Sequence, residues 1–266
     1  MTGQSRSEIR AEGLSVTYTG GGKVTRAVKN CSFCVLKGRV AGLVGESGSG
    51  KSSALMAIPG LLPAGTLVSG SVYCGGADLA ALSEDELAAW RWRRVAIVPQ
   101  GAMNSFTPHL TVERHITEVL TCHLKIPRRE GGARAAELLR VAGLDAAMLS
   151  RYPHELSGGQ KQRAALALAL ACEPDFLLAD EPTTALDVIT QKEVLDTIVN
   201  IVRQRGMGLL LVTHDLSLAA GICDALIVMK DGEIAESGPA RQVAENPSHP
   251  YTRLLIGAIR EMDVPR

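Results

Sequence analysis

Polar and apolar residues alternate along IRAEGLSVTYT (9–19) and AVKNCSFCVL (27–36), with GGG (20–22) between them, which predicts two antiparallel strands joined by a glycine turn. The pattern changes at Val40. VAGLV (40–44) is uniformly apolar, as in a strand covered on both faces, and it leads through a glycine-rich loop into a helix that should stop near Pro59. A further strand, VAIVPQ (95–100), is expected to end at Gln100. From about 101 to 172 the period is helical: VERHITEVLTCHL, ARAAELLRVAGL and KQRAALALALAC are separated by the breakers PRREGG and YPHELSGGQ. Strand and helix then alternate through FLLAD, TQKEVLDTIVNIVRQRG, GLLLVTHD, LSLAAGICD and ALIVMKDGEI, and PARQVAENPSHPYTRLLIGAI reads as a short helical extension. The expected fold class is α/β: a mostly parallel sheet flanked by helices, with an N-terminal antiparallel β subdomain and an inserted helical lobe. The chain is read as one domain over 1–266, with the lobe at about 101–172 and the extension at about 240–266.

Composition narrows the partners. Lys plus Arg is 28 and Asp plus Glu is 28, so net charge supplies no pull toward nucleic acid, and none is expected as a partner. The start, MTGQSRSEIR, lacks the apolar core of a signal peptide. The most uniformly apolar helical run, AALALALAC (164–172), is far short of the ~20 residues that span a bilayer. The expectation is a cytoplasmic chain that meets a membrane only through a partner. Cys31 and Cys34 have the spacing of half a zinc or redox site, but on a strand, residues three apart face opposite sides. No second such pair exists, so all six cysteines are read as packing residues in a reducing compartment.

The chemistry starts at GESGSGKS (45–52), which has the spacing Gly-x-x-x-x-Gly-Lys-Ser between an apolar strand and a helix. Such a loop turns backbone N–H groups inward beside a positive helix end and cradles phosphates. Lys51 is then placed to reach the terminal phosphates and Ser52 to ligate magnesium. FLLADEP (176–182) is an apolar strand closing on two acids. If strand alternation holds there, Asp180 serves the magnesium shell and Glu181 reaches a water aimed at the γ-phosphate. His214 closes GLLLVTHD, and Gln100 closes VAIVPQ, where its amide oxygen can meet magnesium or water and link nucleotide state to the helical lobe. LSGGQ (156–160) forms a second anion cradle at the start of a helix, with Ser157 as either helix cap or phosphate ligand. The chain has no second lysine-bearing loop, so this cradle is read as gripping a nucleotide held by another copy of the fold.

In that order, GESGSGKS, Gln100, LSGGQ, FLLADEP, TALD (184–187) and His214 resemble the nucleotide-binding subunit of an ATP-binding-cassette transporter. The resemblance covers nearly the whole chain. It implies an ATPase using ATP and Mg2+, with Tyr18 stacking on adenine and Gly45, Ser47, Gly48, Ser49, Gly50, Lys51, Ser52 and Ser53 forming the phosphate and magnesium loop. Glu181 becomes the general base, His214 the switch histidine and Asp187 the loop residue at a dimer seam. Ser157, Gly158, Gly159 and Gln160 form the signature, and Ser52, Gln100 and Asp180 the metal set. The implied partners are two transmembrane permease subunits, a second cassette in a homo- or heterodimer, and indirectly an extracytoplasmic substrate-binding protein. The implied location is the cytoplasmic face of the inner membrane, with residues 101–125 docking a coupling helix.

NPSHPYTRLLIGAI (246–259) is similar to importers of oligopeptides, dipeptides and nickel or metal chelates. Two differences keep a nickel or metallophore importer beside a peptide importer. Longer peptide-importing relatives carry a cysteine cluster in the tail, whereas no cysteine follows Cys223, and GAMNSFTPHLTV (101–112) departs from a DPMTSLNP-like form. Two soluble alternatives are an accessory cassette ATPase bound to no pore and a cassette of translation or DNA repair. The interval from Gln100 to Ser157 is too short for the coiled-coil arm of the latter, and LSGGQ argues against a metabolic P-loop kinase.

Overall fold

A computed structural model of the chain describes residues 8–20 and 22–262. Residues 1–7, where a leader was sought, Gly21 of the expected turn, and the last four residues of the extension lie outside the described residues. The chain forms two compact units, Met1–Leu87 with Gly208–Arg266, and Ala88–Met207.

In the first unit, β1 (Glu8–Gly20) pairs antiparallel with β2 (Lys23–Leu36), as the alternation predicts. A register shift between Ala11 and Leu14, around Gly13 at φ 59°, returns Leu14 and Val16 to the buried face shared by Ile9 and Ala11. On β2, Cys31 is buried and Cys34 exposed, so the two thiols face opposite ways. The reading of all six cysteines as packing residues needs correction: Cys34 and Cys122 are exposed, while Cys31, Cys74, Cys172 and Cys223 are buried.

The hydrophobic pattern left residues 60–94 unassigned, and they add β4 (Leu67–Cys74), which pairs with the other edge of β1, then β5 (Ala77–Asp78) and α2 (Glu84–Trp90). The first four residues of β4 are exposed and only Val72 and Cys74 are buried, so its apolar period is faint. A second sheet holds β3 (Val40–Val44), buried at every position, between β8 (Gly208–Thr213) and β9 (Ala225–Lys230), both parallel to it. ALIVMKDGEI is two strands rather than one: β9 turns at Asp231 and Gly232 into antiparallel β10 (Glu233–Pro239). Helices α1 (Lys51–Ala57), α7 (Leu216–Ile222), α8 (Ala240–Glu245) and α9 (Pro250–Met262) complete the unit.

In the second unit, β6 (Val95–Val98) runs parallel to β7 (Phe176–Asp180). β6 stops two residues before Gln100, because Pro99 cannot donate to a ladder and Gly101 turns the chain at φ 68°. The helices are α3 (Val112–Leu124), α4 (Arg128–Val141), α5 (Gly158–Ala169) and α6 (Val188–Arg205). Contrary to its reading as a breaker, RREGG lies inside α4. Its Gly131 is a packing residue, since a Cβ there would stand 2.9 Å from Thr117 Cγ2 of α3. Glycine's entropic cost within a helix is offset here by close approach of two helices. Among the described residues no helix is long and apolar enough to cross a membrane.

Candidate functional site

The phosphate-type loop belongs to the first unit. It leaves β3 at Gly45, φ 152°, where a Cβ would come within 2.2 Å of Met229 O on β9. It enters α1 through Gly50, φ 100°, where a Cβ would meet Ala27 O at 2.1 Å. Two walls of backbone therefore admit only glycine at the two ends of the loop. Between them Glu46, Ser47 and Gly48 are exposed and Ser49 is buried. Lys51 is 5% exposed, and its Nζ donates to Gly45 O at 2.9 Å, Glu46 O at 2.7 Å and Ser49 Oγ at 3.4 Å. These acceptors offset the cost of burying an ammonium and aim it along the loop. No side chain caps α1, whose Ncap is Gly50, whereas α3, α5, α6 and α7 each carry a side-chain cap. The first N–H groups of a helix lack intrahelical acceptors, so an uncapped end beside a buried cation is built for an anion. Ser52 and Ser53 follow on the first turn.

Two further residues meet this loop. Tyr18, near the end of β1, donates its hydroxyl to Ser53 Oγ at 2.9 Å. Beside it a cleft of about 310 Å³ is lined by Tyr18, Lys23, Thr25, Pro63 and Thr66. In the β3–β8 register Val44 stands opposite Thr213, so Gly45 and His214 leave adjacent strands at the same end. His214 is exposed, and the chain beyond it is fixed by Asp215. The Asp215 N–H donates to Thr213 Oγ1 at 3.0 Å, and its carboxylate caps α7 by accepting from Leu218 N at 2.9 Å.

The acid pair, Gln100, the LSGGQ segment and Asp187 belong to the second unit. Asp180 closes β7 and is 2% exposed. Glu181 does not continue the strand alternation expected of it: it lies just past β7 in the left-handed region, φ 43°. That backbone turn brings its Oε2 to accept from Gln100 Nε2 at 3.3 Å and from Thr184 Oγ1 at 3.0 Å. The following loop is tied by Gln191, whose Nε2 donates to Thr183 O at 3.3 Å and Leu186 O at 3.0 Å. Asp187 caps α6, accepting from Thr190 N at 3.0 Å and Thr190 Oγ1 at 2.7 Å. The Thr190 backbone and hydroxyl donors hold the Asp187 carboxyl below its usual range.

LSGGQ closes into a capping box. Ser157 Oγ accepts from Gln160 N at 3.3 Å, and Gln160 Oε1 accepts from Ser157 N at 2.9 Å. Gly158 and Gly159 thus form the first turn of α5. A Cβ on Gly159 would stand 2.7 Å from Thr190 Cγ2, so α5 abuts the residue that holds Asp187. Arg163 Nη2 meets Glu193 Oε2 at 3.3 Å along the same seam. Sequence reasoning gave no role to Thr184, the first residue of TALD, and missed Thr190 and Gln191, which brace the motifs from outside them; the signal of these two lay only in a hydroxyl and an amide just beyond TALD.

Comparison with known proteins identifies the family. The ABC transporter family matches residues 28–184, and the oligopeptide/dipeptide transporter C-terminal region matches residues 235–266. A probable peptide ABC transporter ATP-binding protein of Sinorhizobium fredii is 41% identical over 250 residues, covering 92% of this chain and 75% of the relative. A dipeptide transport ATP-binding protein of Bacillus subtilis is 36% identical over 260 residues, covering 96% of this chain and 78% of the relative. Among solved structures, a dimeric ATP-binding cassette in a post-hydrolysis state with ADP and Pi has a TM-score of 0.78 at 31% identity, covering 88% of this chain and 99% of that one. With its glycine-walled lysine loop, its capped LSGGQ helix and its Gln100–Glu181 contact, the chain belongs to the ABC transporter family, as an ATP-hydrolysing cassette with the C-terminal region of the oligopeptide/dipeptide transporters.

Proposed function

We propose that this cassette energises a peptide importer at the cytoplasmic face of the cell membrane. The observation that carries the reading is the buried Lys51, held by its own loop at the mouth of an uncapped helix: a prebuilt seat for a nucleotide's phosphates. The peptide assignment is supported by the C-terminal region at 235–266 and by relatives named for peptide and dipeptide transport.

In this reading Tyr18 stacks on the adenine, and the loop from Gly45 to Ser53 cradles the phosphates, with Lys51 countering their charge. The hydroxyl of Ser52, the amide oxygen of Gln100 and the carboxylate of Asp180 are hard oxygen donors of the kind Mg2+ takes, and they would hold it. Bound there, Mg2+ would supply neutralisation of charge on the phosphate oxygens. Glu181 orients the attacking water and takes its proton, while His214 bonds the γ-phosphate. The contact from Glu181 to Gln100 couples this acid to the lobe that follows Gln100. Ser157, Gly158 and Gly159, with Gln160 bracing the cap, engage the γ-phosphate of a second cassette, and Asp187 lies at the seam. Two permease subunits and an extracytoplasmic binding protein complete the assembly.

The test is mild-detergent purification of the tagged chain from its native membranes, followed by uptake of labelled dipeptides, oligopeptides and Ni2+ by the recovered complex in vesicles. Two permease subunits and ATP-dependent peptide uptake are expected. Ni2+ uptake without peptide uptake would overturn the peptide assignment. Recovery of soluble partners alone would overturn transport and leave an accessory ATPase.

A further inference from the structure

The family-marking segment near the C-terminus reaches the phosphate loop. Tyr251, on the first turn of α9, is 5% exposed, and its Oη accepts from the Glu46 N–H at 3.3 Å across 205 positions of sequence. The same peptide unit is held from its other end, because Lys51 Nζ donates to Gly45 O at 2.9 Å, and the next unit is held by the donation from Nζ to Glu46 O at 2.7 Å. Glu46 is therefore pinned between the lysine of the loop and a tyrosine contributed by the far end of the chain. Burial and the adjacent Glu46 carboxylate both keep the Tyr251 phenol protonated, so it remains a hydroxyl.

Tyr251 is itself fixed on several sides. Lys230 Nζ lies 4.9 Å from its ring centroid, and its own N–H donates to His249 Nδ1 at 3.2 Å. Glu236 on β10 gathers the residues just before it: Oε1 accepts from Ser248 N and Oγ, both at 2.7 Å, and Oε2 from His249 N at 3.1 Å. Arg253 Nη2 closes the turn by donating to Ser248 O at 2.7 Å. A tyrosine needed only to fill the core would spend its ring there; this one directs its polar end at an exposed loop and is locked in place by a carboxylate clamp.

We propose that Tyr251 is a positioning residue for ATP binding: through the Glu46 peptide it fixes the loop on which Lys51 rests. The proposal rests on the ATP reading of that loop. Losing one such hydrogen bond should weaken nucleotide affinity by about three- to tenfold. Tyr251→Phe is the test variant, since it keeps the ring against Lys230 and removes only the hydroxyl.

Two readouts on the full chain separate the possible failures. Amide hydrogen exchange of the peptide containing Glu46, without nucleotide, should be faster in Tyr251→Phe than in the parent chain. The Kd for a fluorescent ATP analogue and the KM for ATP should both rise about three- to tenfold, with kcat within about twofold and the nucleotide-free Tm nearly unchanged. Unchanged exchange would overturn the contact, and faster exchange with unchanged Kd and KM would overturn positioning. A fall in Tm with unchanged Kd would reduce Tyr251 to a packing residue and likewise overturn it. If the parent chain bound no ATP, the ATP reading would fall and the positioning role with it, while the exchange difference would still report the contact. Glu236→Gln, which loosens the clamp without touching the loop, should move Kd in the same direction and add little to Tyr251→Phe, because both act through one contact.

Discussion

Gln100 Nε2 donates to Glu181 Oε2 at 3.3 Å, joining the turn that follows β6 to the residue just beyond β7. The acid thus has two donors fixed on one oxygen, Gln100 and Thr184. An amide at position 181 keeps a carbonyl oxygen for these donors, while the charge and the capacity to accept a proton are lost.

Glu181→Gln should therefore leave the local structure and ATP affinity in place and lower the hydrolysis rate by about 10²- to 10⁴-fold. Steady-state phosphate release and equilibrium binding of an ATP analogue, measured on the same preparation, decide this. Hydrolysis at the parent rate would remove Glu181 from the general-base role.

Lys51→Ala removes a buried ammonium with three acceptors of its own, and with it the charge facing the bound phosphates. ATP affinity should fall about 10- to 100-fold or more, on the scale of a charge-assisted hydrogen bond. Isothermal titration with ATP checks it, and the Tm without nucleotide shows whether loop collapse contributes.

Gly159→Ala places a methyl 2.7 Å from Thr190 Cγ2, and overpacking of this kind costs about 1–3 kcal/mol. Thr190→Ser removes Cγ2 and keeps the hydroxyl that Asp187 accepts from. The double variant should accordingly be more stable than Gly159→Ala alone in urea unfolding. Additive losses would mean that the two residues are not in contact.

Glu236 gives a pH signature. Its partial burial works against ionisation, but the N–H and hydroxyl of Ser248 and the N–H of His249 outweigh this and hold the carboxyl at about 2. A carboxyl depressed on folding contributes stability that is complete above its unfolded value, about 4.3, and is lost as pH falls toward about 2. Glu236→Gln turns one acceptor oxygen into a donor facing these groups, so it should lower Tm near pH 7. The gap from the parent chain should narrow as pH falls below about 4; a gap constant with pH would show that the charge is not the source.

The motifs were legible because each of their residues has a narrow chemical use: a lysine after paired glycines, or an acid closing an apolar strand. VERHITEVLTCHL gave α3 to the residue, and VAGLV gave β3, because strong periodicity and uniform burial leave few alternatives. β4 was hidden because half of it is solvent-facing, and the start of α4 because glycine in a sequence looks the same whether it breaks a helix or lets a neighbour approach. The turn at Glu181 was equally invisible, since a positive φ at a glutamate is imposed by tertiary contacts and not by local preference. Tyr251 could be recognised as part of a marker, but its bond to Glu46 spans almost the whole chain and no local pattern encodes it.

The reciprocal Ser157–Gln160 bonds mean that the LSGGQ segment is ordered by its own side chains. Fixing one backbone residue costs about 1–2 kcal/mol, so a segment already fixed during folding imposes no such toll when an anion arrives. The signature thereby behaves as a rigid receptor, and encounter and orientation, rather than loop rearrangement, would govern how fast it engages its target.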